Sequence, residues 1–137
     1  MDAVKRGSIF HRFFTTTTPP KDKFFVVVGE DGDDYVGYFF INSIINRFIE
    51  RNQAMYEMQM PLLPRDYSFL DHQSYIDGSK LSKLNKSILL DELANRATTY
   101  KGQLKGEDII RLIGAVQRSP LFSAKEKKCI CGNSAEK

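Results

Sequence analysis

One short stretch concentrates the side chains suited to acid–base chemistry. Asp71, His72, Gln73, Ser74, Asp77 and Ser79 lie between positions 71 and 79, with Arg65 and Lys80 on either side. Imidazole and carboxylate groups are the usual carriers of protons in catalysis. Ser68, Ser74 and Ser79 near His72, with Asp71 and Asp77, also supply the residue types of a hydrolase triad. A triad is defined by spatial geometry, however, and these types fall close together by chance. Alternating polar residues are equally what the wet face of an antiparallel strand presents. The stretch therefore reads either as a site or as a solvated strand face.

Other chemistry-bearing clusters are weaker. Cys129-x-Cys131 is half of a zinc site, and His11 and His72 are the only histidines available to complete it. Their distance in sequence favours thiols on a flexible tail. Asp31-Gly32-Asp33-Asp34 opens like a calcium loop, but the closing position is Asn42 rather than glutamate, so a charged hairpin turn is expected. Gly29 and Gly32 open no helix, which excludes a phosphate-cradling glycine loop. No metal or cofactor is expected. Lys80, Lys83, Lys86, Lys101 and Lys105 make the later part basic, and the Thr15–Lys23 segment offers Lys21, Lys23 and threonine hydroxyls to a phosphate backbone. A solvated surface and a plain connection account for the same residues.

The elements that must hold these groups follow from periodicity. Ser8–Phe14 is an aromatic strand, Phe24–Val28 an apolar, β-branched strand, and Tyr35–Ile41 its hairpin partner after a Gly/Asp turn. Ile41, Ile44, Ile45, Phe48 and Ile49 then recur at helical spacing, predicting a short inserted helix capped by Asn42 or Ser43. Met58–Leu63 reads as an edge strand, and Phe69–Asp77 as a pair of half-strands or one bent strand, stopped by Gly78. Ser87 caps a helix through Arg96, a loop spans Lys101-Gly102, and a helix from Gly106 to Arg118 closes the core with Glu107 and Asp108 in its first turn. Residues 1–122 form one domain and residues 123–137 a flexible polar tail.

Composition limits the partners. The chain has 137 residues, 42% hydrophobic and 27% charged, with ten Phe, six Tyr and a formal net charge of +3. These values fit one folded domain with an aromatic core, and the mild charge does not by itself imply nucleic acid. No run approaches the roughly 18 apolar residues of a membrane helix, and Met1–Gly7 leads into no signal-peptide core. Two cysteines confined to the C-terminal end fit a reducing compartment, so a cytoplasmic location without membrane contact is expected.

The order of these features resembles the PemK/MazF family of toxin endoribonucleases. Lys5-Arg6-Gly7-Ser8-Ile9-Phe10 resembles the family's opening strand, Phe69–Asp77 its later barrel strand, and Glu107–Val116 its C-terminal helix. The resemblance covers roughly residues 4 to 120. It implies a mainly β fold with helices (α+β): an SH3-like small barrel of about five strands, with a short inserted helix and C-terminal helices, often homodimeric. It also implies metal-independent cleavage of single-stranded RNA and an antitoxin protein that blocks the groove. On that reading His72 or Asp77 is the base, Lys23 or Lys80 stabilises phosphate, and Lys21, Gln73, Ser74 and Lys80 bind RNA. The family's arginines have no counterpart: the loop reads Asp22-Lys23-Phe24, and no arginine falls between Arg65 and Arg96. The alternative is a non-catalytic interaction module that binds a protein or nucleic acid.

Overall fold

The structure, a computed structural model, describes residues 4–132. Six strands form one antiparallel sheet: β1 (Ser8–Phe14), β2 (Lys21–Asp31), β3 (Tyr35–Asn42), β4 (Gln59–Leu62), β5 (Ser74–Asn85) and β6 (Thr98–Gln103). Their order is β4-β5-β3-β2-β1-β6. Among the described residues five helices accompany them: α1 (Arg47–Glu50), α2 (Gln53–Tyr56), α3 (Lys86–Ala94), α4 (Gly106–Arg118) and α5 (Ala124–Cys131). The protein is mainly β within the α+β class, as expected, with six strands rather than about five.

Both faces of the sheet are covered, which explains the unbroken apolar run in β2. Val26 and Val28 join Ile9, Phe39, Ile41 and Ile76 on one face, under Leu112 and Val116 of α4 and Ile130 of α5. Phe25 and Val27 join Phe10, Phe14, Val36 and Tyr38 on the other, under Leu89 of α3. Successive β-strand side chains point to opposite faces, so a strand buried on both sides loses its polar alternation.

Several expectations are corrected. The inserted helix is two single turns, each restarted by an asparagine cap: Asn46 accepts from Ile49 N and Asn52 from Met55 N. Ile41 belongs to β3, and Ile44 and Phe48 are exposed at 74% and 72%. The bent strand starts later than expected, at Ser74, and runs through Gly78. A Cβ on Gly78 would sit 2.8 Å from the Met58 carbonyl oxygen, so this glycine permits the close approach of β4 rather than ending β5. Asn85, not Ser87, caps α3 through Ile88 N at 3.0 Å. The expected loop at Lys101-Gly102 is edge strand β6, paired with β1.

The flexible-tail assignment is also overturned for residues 124–131, which form α5. Ser123 and Glu126 make a reciprocal capping box. Ile130 and Cys131 are buried in the main core. A Cβ on Gly29 would lie 2.1 Å from the Cys129 carbonyl oxygen, so only glycine in β2 admits the α5 backbone. The domain thus continues past residue 122; positions 133–137 of the expected tail lie outside the described residues.

Candidate nucleic-acid interface

The hairpin register builds an open groove at one end of the sheet. The short Thr15–Pro20 connection pairs Phe14 with Lys21, Arg12 with Lys23 and His11 with Phe24. β3 then sets Phe24 opposite Ile41. Between Leu62 and Ser74 the chain folds back over this end, with Leu70 buried and Phe69 half-buried. The resulting groove holds about 590 Å3 and is lined by His11, Lys21, Lys23, Phe24, Phe69 and His72, together with Asp22, Asn42, Ser43, Asp71 and Ser74.

Aromatic rings form its wall. His11 lies 4.8 Å from Phe24, and Phe24 lies 4.9 Å from Phe69, centroid to centroid. Phe69 continues the row to Tyr67 at 6.2 Å. Amides, hydroxyls and charges form the rim. Ser74 Oγ donates to the His72 carbonyl at 3.2 Å, which ties the start of β5 to the loop.

Lys23 occupies the opposite face of β2 from Phe24. Its Nζ lies 4.7 Å from the Phe40 ring centroid and donates to Asn42 Oδ1. Burial pushes this ammonium below the ordinary lysine range, and Lys21 adds to the shift, while Asp77 opposes it.

The expected site residues therefore separate. His72, Ser74, Lys21 and Lys23 line one groove. Asp77 does not line it. Asp77 lies one residue past buried Ile76, and its Oδ1 accepts from Gln59 Nε2 at 2.8 Å, Ser79 N at 3.0 Å and Ser79 Oγ at 2.6 Å. All three donors converge on Oδ1, tying Asp77 to its own strand and to Gln59 of β4. Gln73 donates to the Tyr75 hydroxyl at 3.1 Å, and exposed Lys80 lies outside the groove.

His11, assigned from sequence only to a metal set, and Phe24 and Phe69, read only as strand residues, are groove residues that the sequence did not disclose. For His11 the signal was the length of the Thr15–Pro20 connection, which fixes the β1–β2 register. Cys129 and Cys131 lie on α5, and among the described residues no group of three His, Cys, Asp or Glu gathers as a metal site.

Three of the later lysines form surface ion pairs. Lys83 pairs with Asp31, Lys86 with Glu30 at 3.3 Å and Lys105 with Asp66 at 3.3 Å. A second open groove, of about 700 Å3, mixes Lys5, Arg6, Lys125 and Lys128 with Glu30, Asp31 and Asp33 and has no aromatic wall.

No protein-family model matches the chain, and no curated protein matches it. Among the described residues no helix is long and apolar enough to cross a membrane.

Proposed function

We propose that the groove binds a short segment of single-stranded RNA. The observation that supports this reading is the His11–Phe24–Phe69 row beside Lys21 and Lys23. Unpaired bases stack on aromatic faces, and lysines at the rim take phosphates. The groove also carries Asp22 and Asp71. Two lysines and two aspartates leave no formal cationic surplus, so stacking and hydrogen bonds to Asn42, Ser43 and Ser74 contribute most of the affinity. With at most two phosphates neutralised, the salt slope should be no steeper than about −1.4.

A metal-independent endoribonuclease is the second reading, favoured because two imidazoles line one groove. One imidazole would take the 2′-hydroxyl proton as that oxygen attacks the adjacent phosphorus. The other would protonate the departing 5′-oxygen, leaving a 2′,3′-cyclic phosphate. Lys23 would offset phosphate charge as a point charge, without the planar fork of an arginine. A role as a cytoplasmic growth inhibitor, homodimeric and held by an antitoxin covering this groove, belongs to this second reading.

Fluorescence anisotropy with a labelled single-stranded RNA tests the first reading. Binding should weaken several-fold in Phe24→Ala or Lys21→Gln, and unaltered affinity in both variants would reject the groove. Incubation of the same RNA with chelator tests the second. Cyclic-phosphate products lost in both His11→Ala and His72→Ala support cleavage, whereas intact RNA leaves the non-catalytic module.

A further inference from the structure

The loop between Leu62 and Ser74 carries Phe69 and His72 into the groove, yet it has no regular secondary structure to hold it. Its fixed point is Tyr67, whose side chain is buried in the main core. The Tyr67 hydroxyl donates to Asp108 Oδ2 at 2.5 Å and accepts the Lys105 amide N–H at 2.9 Å. Both partners sit at the start of α4, far along the chain. Asp108 is itself buried, and its other oxygen accepts from Arg111 Nη2 at 2.5 Å. Lys105 also pairs with Asp66, the neighbour of Tyr67. Leu70 N donates back to the Tyr67 carbonyl at 3.1 Å, so the turn leading to Phe69 and His72 is joined to Tyr67, with buried Leu70 as a second anchor.

We propose that Tyr67 is the positioning residue of the RNA groove: its hydroxyl, clasped by Asp108 and the Lys105 amide, fixes the loop that presents Phe69 and His72. This rests on the RNA reading above. Tyr67 does not line the groove and acts only through the loop. A phenyl ring fills the same volume, so Tyr67→Phe removes the clasp while leaving the core packed. Burial and the Asp108 carboxylate push the phenol well above its ordinary ionisation range, so the donor persists at all working pH values.

The test combines amide hydrogen exchange with a double-mutant cycle in Tyr67→Phe, with Asp108→Asn as the second variant. Exchange of loop amides 66–73 should speed up about tenfold while the sheet amides stay unchanged. RNA affinity should fall about five- to tenfold, and His72→Ala should cost less in the Tyr67→Phe background than in the wild type. Unchanged loop exchange in both variants would overturn the proposal. So would acceleration spread evenly over the molecule, or fully additive effects of Tyr67→Phe and His72→Ala on affinity. A wild type that binds no RNA would instead reject the RNA reading; the clasp is then decided by loop exchange alone.

Discussion

Lys23 separates structural from functional roles at the scale of single residues. Its ammonium is held below the ordinary lysine range by burial against Phe40 and by Lys21. The unfolded chain, with a lysine value near 10.5, therefore binds more protons than the folded one just below that pH. Stability attributable to Lys23 should rise as pH climbs through the lowered folded value and level off above 10.5. Urea unfolding of wild type and Lys23→Gln across this range should show the wild type gaining on the variant as pH increases. A constant difference would mean that the amine is fully solvated.

The same scale shows what single residues disclose. His72, Ser74, Lys21 and Lys23 are recognisable from type and neighbourhood alone. Asp77 is not, because Gln59 and Ser79 engage its carboxylate outside the groove. His11 became legible only once the β1–β2 register was known.

Among the elements, α3 is tied across the sheet by one charged cluster. Arg12 donates to Glu92 through two nitrogens, at 2.6 and 3.0 Å, and Thr98 Oγ1 donates to the same carboxylate at 2.7 Å. These contacts join β1, β6 and α3. The Arg12 hydrogen bond, aided by Thr98, holds the Glu92 carboxyl below its ordinary range of 4.5 despite some burial. Its contribution is present above that value and is lost as pH falls through the lowered folded value. Glu92→Ala should cost about 1.5–3 kcal/mol near neutrality by chemical denaturation. The gap to the wild type should close in acid, and a gap that widens there would contradict the assignment.

Docking of α5 provides a second test at this scale. Gly29→Ala places a methyl group against the Cys129 carbonyl and should destabilise by about 3 kcal/mol.

Element boundaries were readable where one period dominated, as in β1, β3 and α4. They were misread where another residue intervened. Asn46 and Asn52 split the helical pattern after Ile45, and Gly78 let β5 continue past a supposed stop. β6 has the weak alternation of an edge strand and owes its place to pairing with β1.

For the whole molecule, the main consequence is that the C-terminal region belongs to the core. Its composition is polar and lysine-rich, and that pattern hid α5. Yet Ser123-x-x-Glu126 spelled a capping box, and Ile130 is fully buried. Ile130→Ala should therefore lower stability by about 2–5 kcal/mol and leave a single cooperative transition. A flexible tail would show no effect. The α+β class was legible because aromatic and β-branched runs dominate the first 41 residues. The groove was not, because it joins β1, β2, β3 and a distant loop that only tertiary packing assembles.

On the proposed reading, single-stranded RNA lies along the His11–Phe24–Phe69 wall. Titration of a short single-stranded RNA into isotopically labelled protein, followed by amide NMR shifts, tests it directly. Saturable shifts clustered at residues 11, 21–24, 41–46 and 69–74 are expected. No shifts, or shifts confined to the mixed-charge groove beside α5 at residues 29–33 and 125–129, would contradict it.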